Sequence, residues 1–405
     1  MNPADVAQLV EHHLAKVRVA SSNLVIRSSK RPDHLVGSFA CGDLETVGAG
    51  ELMRHNGAMD LPVVSLALWD NPGTDRQQYA AEIAQACHTV GFISLVDHGV
   101  SQATIDGFMG LLKRFFALPT ESKALIEKTN SRYFRGWERV GSELTDNRVD
   151  YREQIDLSSE HEAYAIDVEP VYLRLQGPNQ WLSDEILTGF HETVSQWFST
   201  MEHLANRLME ILAVGLGLES QTFLELFGES HHSLMKMIHY PPTPVGQAGV
   251  NAHQDAGFLT ILLQYEVGGL QVRTQDGQWV DVPVIPGAFV LNIGEMLQAM
   301  TGNYYVATMH RVISSEERFS TAFFHGPDLR TRLDQLQLDS RFFDAVSNSP
   351  FHQTAGFMAK RDELLAGTGG VGSTSAAVYG EQLWNYYSRS YPDIVRKYNA
   401  PNISG

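Results

Sequence analysis

From Ser233 to Phe324 the chain is written in short β-prone runs: Met235 to Tyr240, Phe258 to Tyr265, Leu270 to Thr274, Gln278 to Val282, Ala288 to Ile293 and Phe319 to Phe324. Gly268-Gly269, Asp276-Gly277, Pro286-Gly287 and Gly302-Asn303 punctuate them, and glycine and asparagine reach the backbone conformations that tight turns need. Short strands at near-regular spacing cannot each bury a face alone. They predict a sandwich or double-sheet jelly roll.

The chain upstream reads differently. Leu61 to Leu66 is a short β-rich run, Tyr79 to Val90 carries apolar residues at helical spacing with Gly91 behind it, and Phe92 to Val96 is a second strand. Ala103 to Phe116 repeats the helical pattern and is closed by Leu118-Pro119, so the domain opens as α/β. A long helix is predicted over about 182–216, where Phe190, Val194, Trp197, Phe198, Met201, Leu204, Leu208 and Leu212 keep a three-to-four spacing. Tyr379 to Tyr398 regains helical periodicity. The glycine-rich stretch 367–375 lacks the lysine of a phosphate loop and reads as a flexible connection.

The first 58 residues stand apart. They hold six Lys/Arg against six Asp/Glu, so the formal charge of -17 lies entirely in residues 59–405. Between His12 and Pro32 five basic residues and no acidic one are interleaved with serine, a composition similar to a transit peptide. The stretch from Val6 to Ser28 also resembles the spurious peptide produced when a start is assigned upstream of the true one, with Met53 and Met59 as candidate starts. The expected division is therefore a non-native or disordered extension over 1–58, an α/β region over 59–180, helical support over 181–230, the jelly roll over 231–330 and a helical region over 331–405.

An acidic chain is poorly suited to a polyanion, so nucleic acid is not an expected partner. Cys41 and Cys87 are too few for a disulfide framework, and a cytoplasmic setting is expected. No apolar run approaches the roughly 18 residues that span a bilayer. The expected partner is a small molecule, with the oligomeric state open.

His253 and Asp255 lie two apart in NAHQDAG, so on an extended segment both reach one point. His310, at the end of a second β-rich stretch, can supply a third ligand from a facing strand. Two histidines and a carboxylate leave coordination positions open, the arrangement of non-haem iron(II) oxygen chemistry. Arg318 and Ser320 again share a strand face, and a guanidinium beside a hydroxyl is a natural clamp for a carboxylate.

Around these residues the chain resembles the isopenicillin N synthase-like family of iron(II) and 2-oxoglutarate oxygenases. The resemblance runs over about residues 60–398 and includes LPVVSL at Leu61, GFISLVDHGV at Gly91, FFALPTESK at Phe115, MIHYPP at Met237 and GGLQVRTQDGQWVDVPVIPGAFVLNIGE at Gly268. It implies an α+β fold, a distorted double-stranded β-helix with an N-terminal α/β portion and flanking helices. It implies Fe(II) on His253, Asp255 and His310, 2-oxoglutarate on Arg318, Ser320 and Tyr240, and O2 as the oxidant, with succinate and carbon dioxide released. Lys236 stands where many such proteins have arginine, and the interval from His310 to Arg318 is one residue short. Tyr133, Phe134, Arg135, Trp137, Glu143 and Arg148 fall in a segment that often covers the pocket, and Arg389 in the terminal helix, so Tyr133, Phe134, Arg135, Glu143, Lys236 and Arg389 are candidate substrate contacts. The regions around Gly141-Ser142-Glu143 and from Tyr379 to Pro392 are similar to the ethylene-forming enzyme, making ethylene and succinate formation an alternative. An iron oxidase that does not use 2-oxoglutarate, a zinc hydrolase and a non-catalytic jelly roll are the others.

Overall fold

A computed structural model describes residues 61–145, 148–228, 230–354 and 378–399. The strand-forming segments sort into β1 (Val63–Ser65), β2 (Phe92–Val96), β3 (Gly136–Glu138), β4 (Leu144–Thr145), β5 (Arg148–Val149), β6 (Glu153–Ser158), β7 (Leu234–Tyr240), β8 (Val250–His253), β9 (Leu259–Leu263), β10 (Leu270–Arg273), β11 (Trp279–Asp281), β12 (Phe289–Ile293), β13 (His310–Val312) and β14 (Arg318–His325). Two sheets carry the architecture. The major one runs β1-β2-β12-β9-β14-β7-β6-β3 and the minor one β11-β10-β13-β8, while β4 and β5 form a separate ribbon. Every pairing among these strands is antiparallel except β1 with β2. This is a jelly roll with helices on its outer side.

Period-two alternation decides what each face of the major sheet buries. Met235, Met237, Ile155, Leu157, Leu259, Ile261, Leu291 and Phe323 belong to the larger apolar core, shared with the helices. Those helices are α1 (Arg76–Thr89), α2 (Gln102–Phe116) and α3 (Phe190–Gly215). Asp75 and Ser101 cap α1 and α2 through side chains that accept backbone N–H bonds. Phe108 of α2 stacks on Trp197 of α3 with ring centroids 4.3 Å apart. The opposite face sits between the two sheets, where Phe92, Ile238, Tyr240, Val250, Leu270, Val272, Val290 and Val312 form a second, smaller core. This inner face also carries buried polar side chains, Gln154, Asp156, Asn292, Arg318 and Ser320 among them.

Several expectations need correction. The long helix begins at Phe190, not near 182, because Leu182 and Leu187 pack into the larger core from a turn that ends at Gly189, which adopts φ 74°. The terminal stretch is helical as expected but interrupted at Tyr391: α6 (Tyr379–Ser390) ends there, and short helical turns resume over Pro392–Ile394 and Val395–Asn399, with Pro392 in the first turn where its missing N–H costs nothing. Between α3 and α6 lie α4 (Glu295–Met300) and α5 (Ser340–Ser347). The regions expected over 59–180 and 231–330 share one sheet: β1, β2, β3 and β6 come from the first, and β7, β9, β12 and β14 from the second. Residues 1–58 and 367–375 lie outside the described residues. Among the described residues no helix is long and apolar enough to cross a membrane.

Candidate metal and co-substrate site

β8 and β13 pair with His253 directly opposite His310, which brings the two imidazoles together with centroids 4.3 Å apart. Asp255 follows β8 at the same pleat, and its Oδ1 lies 3.5 Å from His253 Nε2 and 3.6 Å from His310 Nε2. One ligand atom from each residue falls within 4.8 Å of the others. Each ring is oriented by its far nitrogen: His253 Nδ1 donates to Asn251 O at 2.9 Å and His310 Nδ1 to Thr308 O at 3.0 Å. Both Nε2 lone pairs are thereby free for a metal.

The carboxylate is fixed from the major sheet. Thr260 Oγ1 and Asn292 Nδ2 donate to Asp255 Oδ2 at 2.6 and 2.8 Å, which leaves Oδ1 for the histidine side. Burial alone would raise the Asp255 pKa, but His310, His253 and the Asn292 bond outweigh it and hold the group well below its usual range. Burial and the neighbouring His253 push His310 down to about 4 against the pull of Asp255, so its ring is neutral, as a ligand must be. The loop from Asp255 to Gly257 runs tightly past Gly294, where a Cβ would meet Gly257 O at 2.1 Å. Only glycine admits that approach.

Arg318 and Ser320 lie in register with Tyr240 and Ile238 of β7. Through β9 and β12 they share the inner face with Thr260 and Asn292, the residues that hold Asp255. Arg318 is wholly buried. Its Nη1 donates to Ser320 Oγ at 2.9 Å and its guanidinium lies 4.7 Å from the centroid of the Tyr240 ring, but Nε and Nη2 have no partner. The short interval after His310 is absorbed by an irregular register within β13 and by a turn in which Ser314 Oγ donates to Glu316 O at 2.8 Å.

The expected substrate contacts divide. Lys236 and Glu143 come together: Lys236 Nζ donates to both Glu143 oxygens at 3.1 and 3.3 Å and to Asp156 Oδ2 at 3.1 Å, so its charge is engaged away from Arg318. Phe134 instead packs on Tyr387 of α6 with centroids 4.8 Å apart, and Arg135 donates to the carbonyls of Leu175 and Gly177. Tyr133 crowds Gly177, Trp137 Nε1 donates to Glu153, and Arg148 and Arg389 are exposed. The terminal helix does reach the polar interior, through Tyr386 Oη to Glu143 at 3.1 Å and through Tyr391 Oη to Glu138 at 3.2 Å.

What the sequence reading missed is β6. Gln154, Asp156 and Ser158 of β6, with Arg152 just ahead of it, are buried polar residues at period two, the signature of a strand whose inner face is polar.

Comparison with known proteins agrees with this geometry. A sequence profile described as the non-haem dioxygenase in morphine synthesis N-terminal region matches residues 61–184, and that of the 2OG-Fe(II) oxygenase superfamily matches 231–327. The 1-aminocyclopropane-1-carboxylate oxidase of Dictyostelium mucoroides is 32% identical over 308 residues, 67% of this chain and 83% of that protein. The 2-oxoglutarate-dependent dioxygenase frbJ of a Dothideomycetidae species is 29% identical over 357 residues, 84% of this chain and 92% of that protein. Among solved structures, a 2OG-Fe(II) oxygenase family protein from Caulobacter crescentus superposes with a TM-score of 0.59 at 28% identity, over 68% of this chain and 90% of that one. Two matching profiles that together cover more than half of the chain, with relatives aligned over most of their own length, leave one conclusion: the chain belongs to the 2OG-Fe(II) oxygenase superfamily, as an iron(II)- and 2-oxoglutarate-dependent dioxygenase.

Proposed function

We propose that His253, Asp255 and His310 hold the iron(II) and that Arg318, with Ser320 and Tyr240, anchors the distal carboxylate of 2-oxoglutarate. The observation that carries this is Arg318, a fully buried cation with two guanidinium nitrogens unpartnered and no carboxylate of the described residues paired to it. An uncompensated buried charge is costly, and a bidentate carboxylate is its natural complement. Bound together, iron(II) and 2-oxoglutarate supply the oxidative chemistry, in which O2 is consumed and succinate and carbon dioxide accompany oxidation of a small-molecule substrate.

The chain's own groups supply geometry and dryness. Thr260 and Asn292 fix the aspartate, the Asn251 and Thr308 carbonyls fix the two rings, and Phe92 lies edge-on to His310 with centroids 5.3 Å apart, shielding that ring on its sheet side. His253 is the most exposed of the three, with about 30% of its side chain accessible, so the substrate approaches from its side. Titration of 2-oxoglutarate under nitrogen with iron(II) in excess tests the reading through the weak visible charge-transfer band of the chelate. The band is expected in the wild type and lost in His253→Ala and His310→Ala. A band of undiminished intensity in either variant would remove that histidine from the site.

A further inference from the structure

The inner face of β6, with Arg152 immediately ahead of it, carries groups that iron and co-substrate binding do not use. Arg152, Gln154 and Asp156 are 7%, 1% and 6% exposed, and each presents one buried polar atom without a partner: Arg152 Nε, Gln154 Oε1 and Asp156 Oδ1. The rest of each side chain is tied down. Arg152 Nη2 donates to Glu143 at 2.5 Å and Asp150 at 3.2 Å, Gln154 Nε2 donates to Glu138 at 3.0 Å, and Asp156 Oδ2 accepts from Lys128 at 2.7 Å and Lys236 at 3.1 Å. Side chains held this firmly, each with one free atom, form a pre-organised reading surface: a donor at one end and two acceptors at the other.

Its position is that of a substrate subsite. Gln154 and Asp156 pair with Ile238 and Lys236, which pair in turn with Ser320 and Ala322, so β6 continues the inner face that holds Arg318. Arg152 is linked to the iron side through Asp150: it donates to Asp150, which accepts from Asn251 N at 3.0 Å and Asn251 Nδ2 at 2.9 Å, and the Asn251 carbonyl orients His253. Arg152 and Asp156 are four residues apart on an extended segment, about 13 Å between Cα atoms, and their side chains are joined through Glu143, which accepts from Arg152 and from Lys236, the lysine that also holds Asp156.

Formal charge selects the ligand. Lys128, Arg152 and Lys236 face Glu138, Glu143, Asp150 and Asp156, three cations against four carboxylates, which leaves one net negative charge. The iron set cannot neutralise it, because iron(II) with Arg318 balances Asp255 with doubly charged 2-oxoglutarate. We infer that the substrate is a basic amino acid or a close analogue: its carboxylate is received by Arg152 Nε, and its ammonium or guanidinium N–H groups by Gln154 Oε1 and Asp156 Oδ1. This rests on the iron and 2-oxoglutarate reading above.

The test uses the full chain with iron(II) and saturating 2-oxoglutarate under nitrogen. L-lysine, 6-aminohexanoate, cadaverine and hexanoate are titrated in turn, followed both by perturbation of the charge-transfer band and by calorimetry. L-lysine is expected to bind at least about tenfold more tightly than cadaverine or hexanoate, with 6-aminohexanoate between. Arg152→Lys, which keeps a cation beside Glu143, is expected to weaken L-lysine about tenfold while leaving cadaverine and the 2-oxoglutarate titration unchanged. Gln154→Met, nearly the same size, is expected to weaken L-lysine and cadaverine alike and to spare hexanoate. Hexanoate binding as tightly as L-lysine, or no L-lysine binding at millimolar concentration, would overturn the inference. So would an Arg152→Lys variant whose defect lies in 2-oxoglutarate, since Arg152 would then serve the co-substrate. If no band forms in the wild type, the iron reading fails on its own, and calorimetric binding of L-lysine with its dependence on Arg152 still decides the role of β6.

Discussion

Arg318 donates to Ser320 through Nη1 and leaves Nε and Nη2 without a hydrogen-bond partner, so its substitution separates anchoring from folding. Lysine keeps the charge but cannot offer two parallel bonds. Arg318→Lys is therefore expected to raise the 2-oxoglutarate requirement about tenfold to a hundredfold, equivalent to roughly 1.5–3 kcal/mol, with iron affinity unchanged. Ser320→Ala should cost less, and an unchanged titration in Arg318→Lys would place the anchor elsewhere. Glu143 is the opposite case, a buried carboxylate already satisfied by Lys236, Arg152 and Tyr386. Burial would raise its pKa, but Lys236, Arg152 and Lys128 hold it well below its ordinary value of about 4.5. A folded pKa below the unfolded one contributes stability that is present above the unfolded value and lost as pH falls toward the folded one. Urea unfolding should therefore show stability falling as pH drops below about 4.5, with a smaller fall in Glu143→Gln. At pH 7 that variant, which leaves two cations facing a neutral amide, is expected to be about 3–5 kcal/mol less stable. An equal acid sensitivity in both proteins would show that other carboxylates carry the effect.

Elements differ in how plainly they announce themselves. β7, β9, β12 and β14 were legible because apolar residues dominate them and turn residues bound them, and His253 and Asp255 were legible because a two-residue spacing on a strand fixes a common direction. β6 was not. Its sequence EQIDLS alternates polar with apolar, as a half-exposed strand would, yet the structure buries both faces: Ile155 and Leu157 under the helices, Gln154 and Asp156 inside the roll. Nothing local distinguishes a polar residue facing water from one facing an active site. For the same reason the sequence gives no sign that Lys128 is buried, yet it is 1% exposed and ringed by Glu138, Asp156 and Tyr391. The terminal helix was legible as a helix, but its contacts were assigned to Arg389, whereas the tyrosines make them. Tyr391→Phe removes the hydroxyl shared by Lys128 and Glu138 and is expected to cost about 1.5–3 kcal/mol, because both partners are charged. Hydrogen exchange should then quicken in α6 ahead of the β strands. Uniform quickening across the protein would mean that α6 and the sheet open as one unit.

For the whole molecule, sheet connectivity sets which pieces can stand alone. The β-rich segment 231–330 contains the three proposed iron ligands and Arg318, yet it supplies only half of the major sheet, and β7 depends on β6 for a six-pair ladder running from Glu153↔His239 to Ser158↔Leu234. A fragment limited to 231–330 would expose the β7 edge and the apolar outer face that Ile83, Phe108, Trp197 and Leu208 help to cover, so it is expected to aggregate. At the other end the outcome reverses. The groups assigned to iron, 2-oxoglutarate and β6, with their ion-pair and hydrogen-bond partners, run from Lys128 to Tyr391, and the larger core gains its first buried member at Val64. A chain that begins at Met59 therefore retains every contact invoked for the site. Its thermal midpoint, iron(II) binding and 2-oxoglutarate titration are each expected to match those of the full chain, as measured by calorimetry and by the charge-transfer band. A lower midpoint with normal titrations would show that residues 1–58 brace the fold without touching the chemistry, and a weakened 2-oxoglutarate titration would show that they reach the site itself.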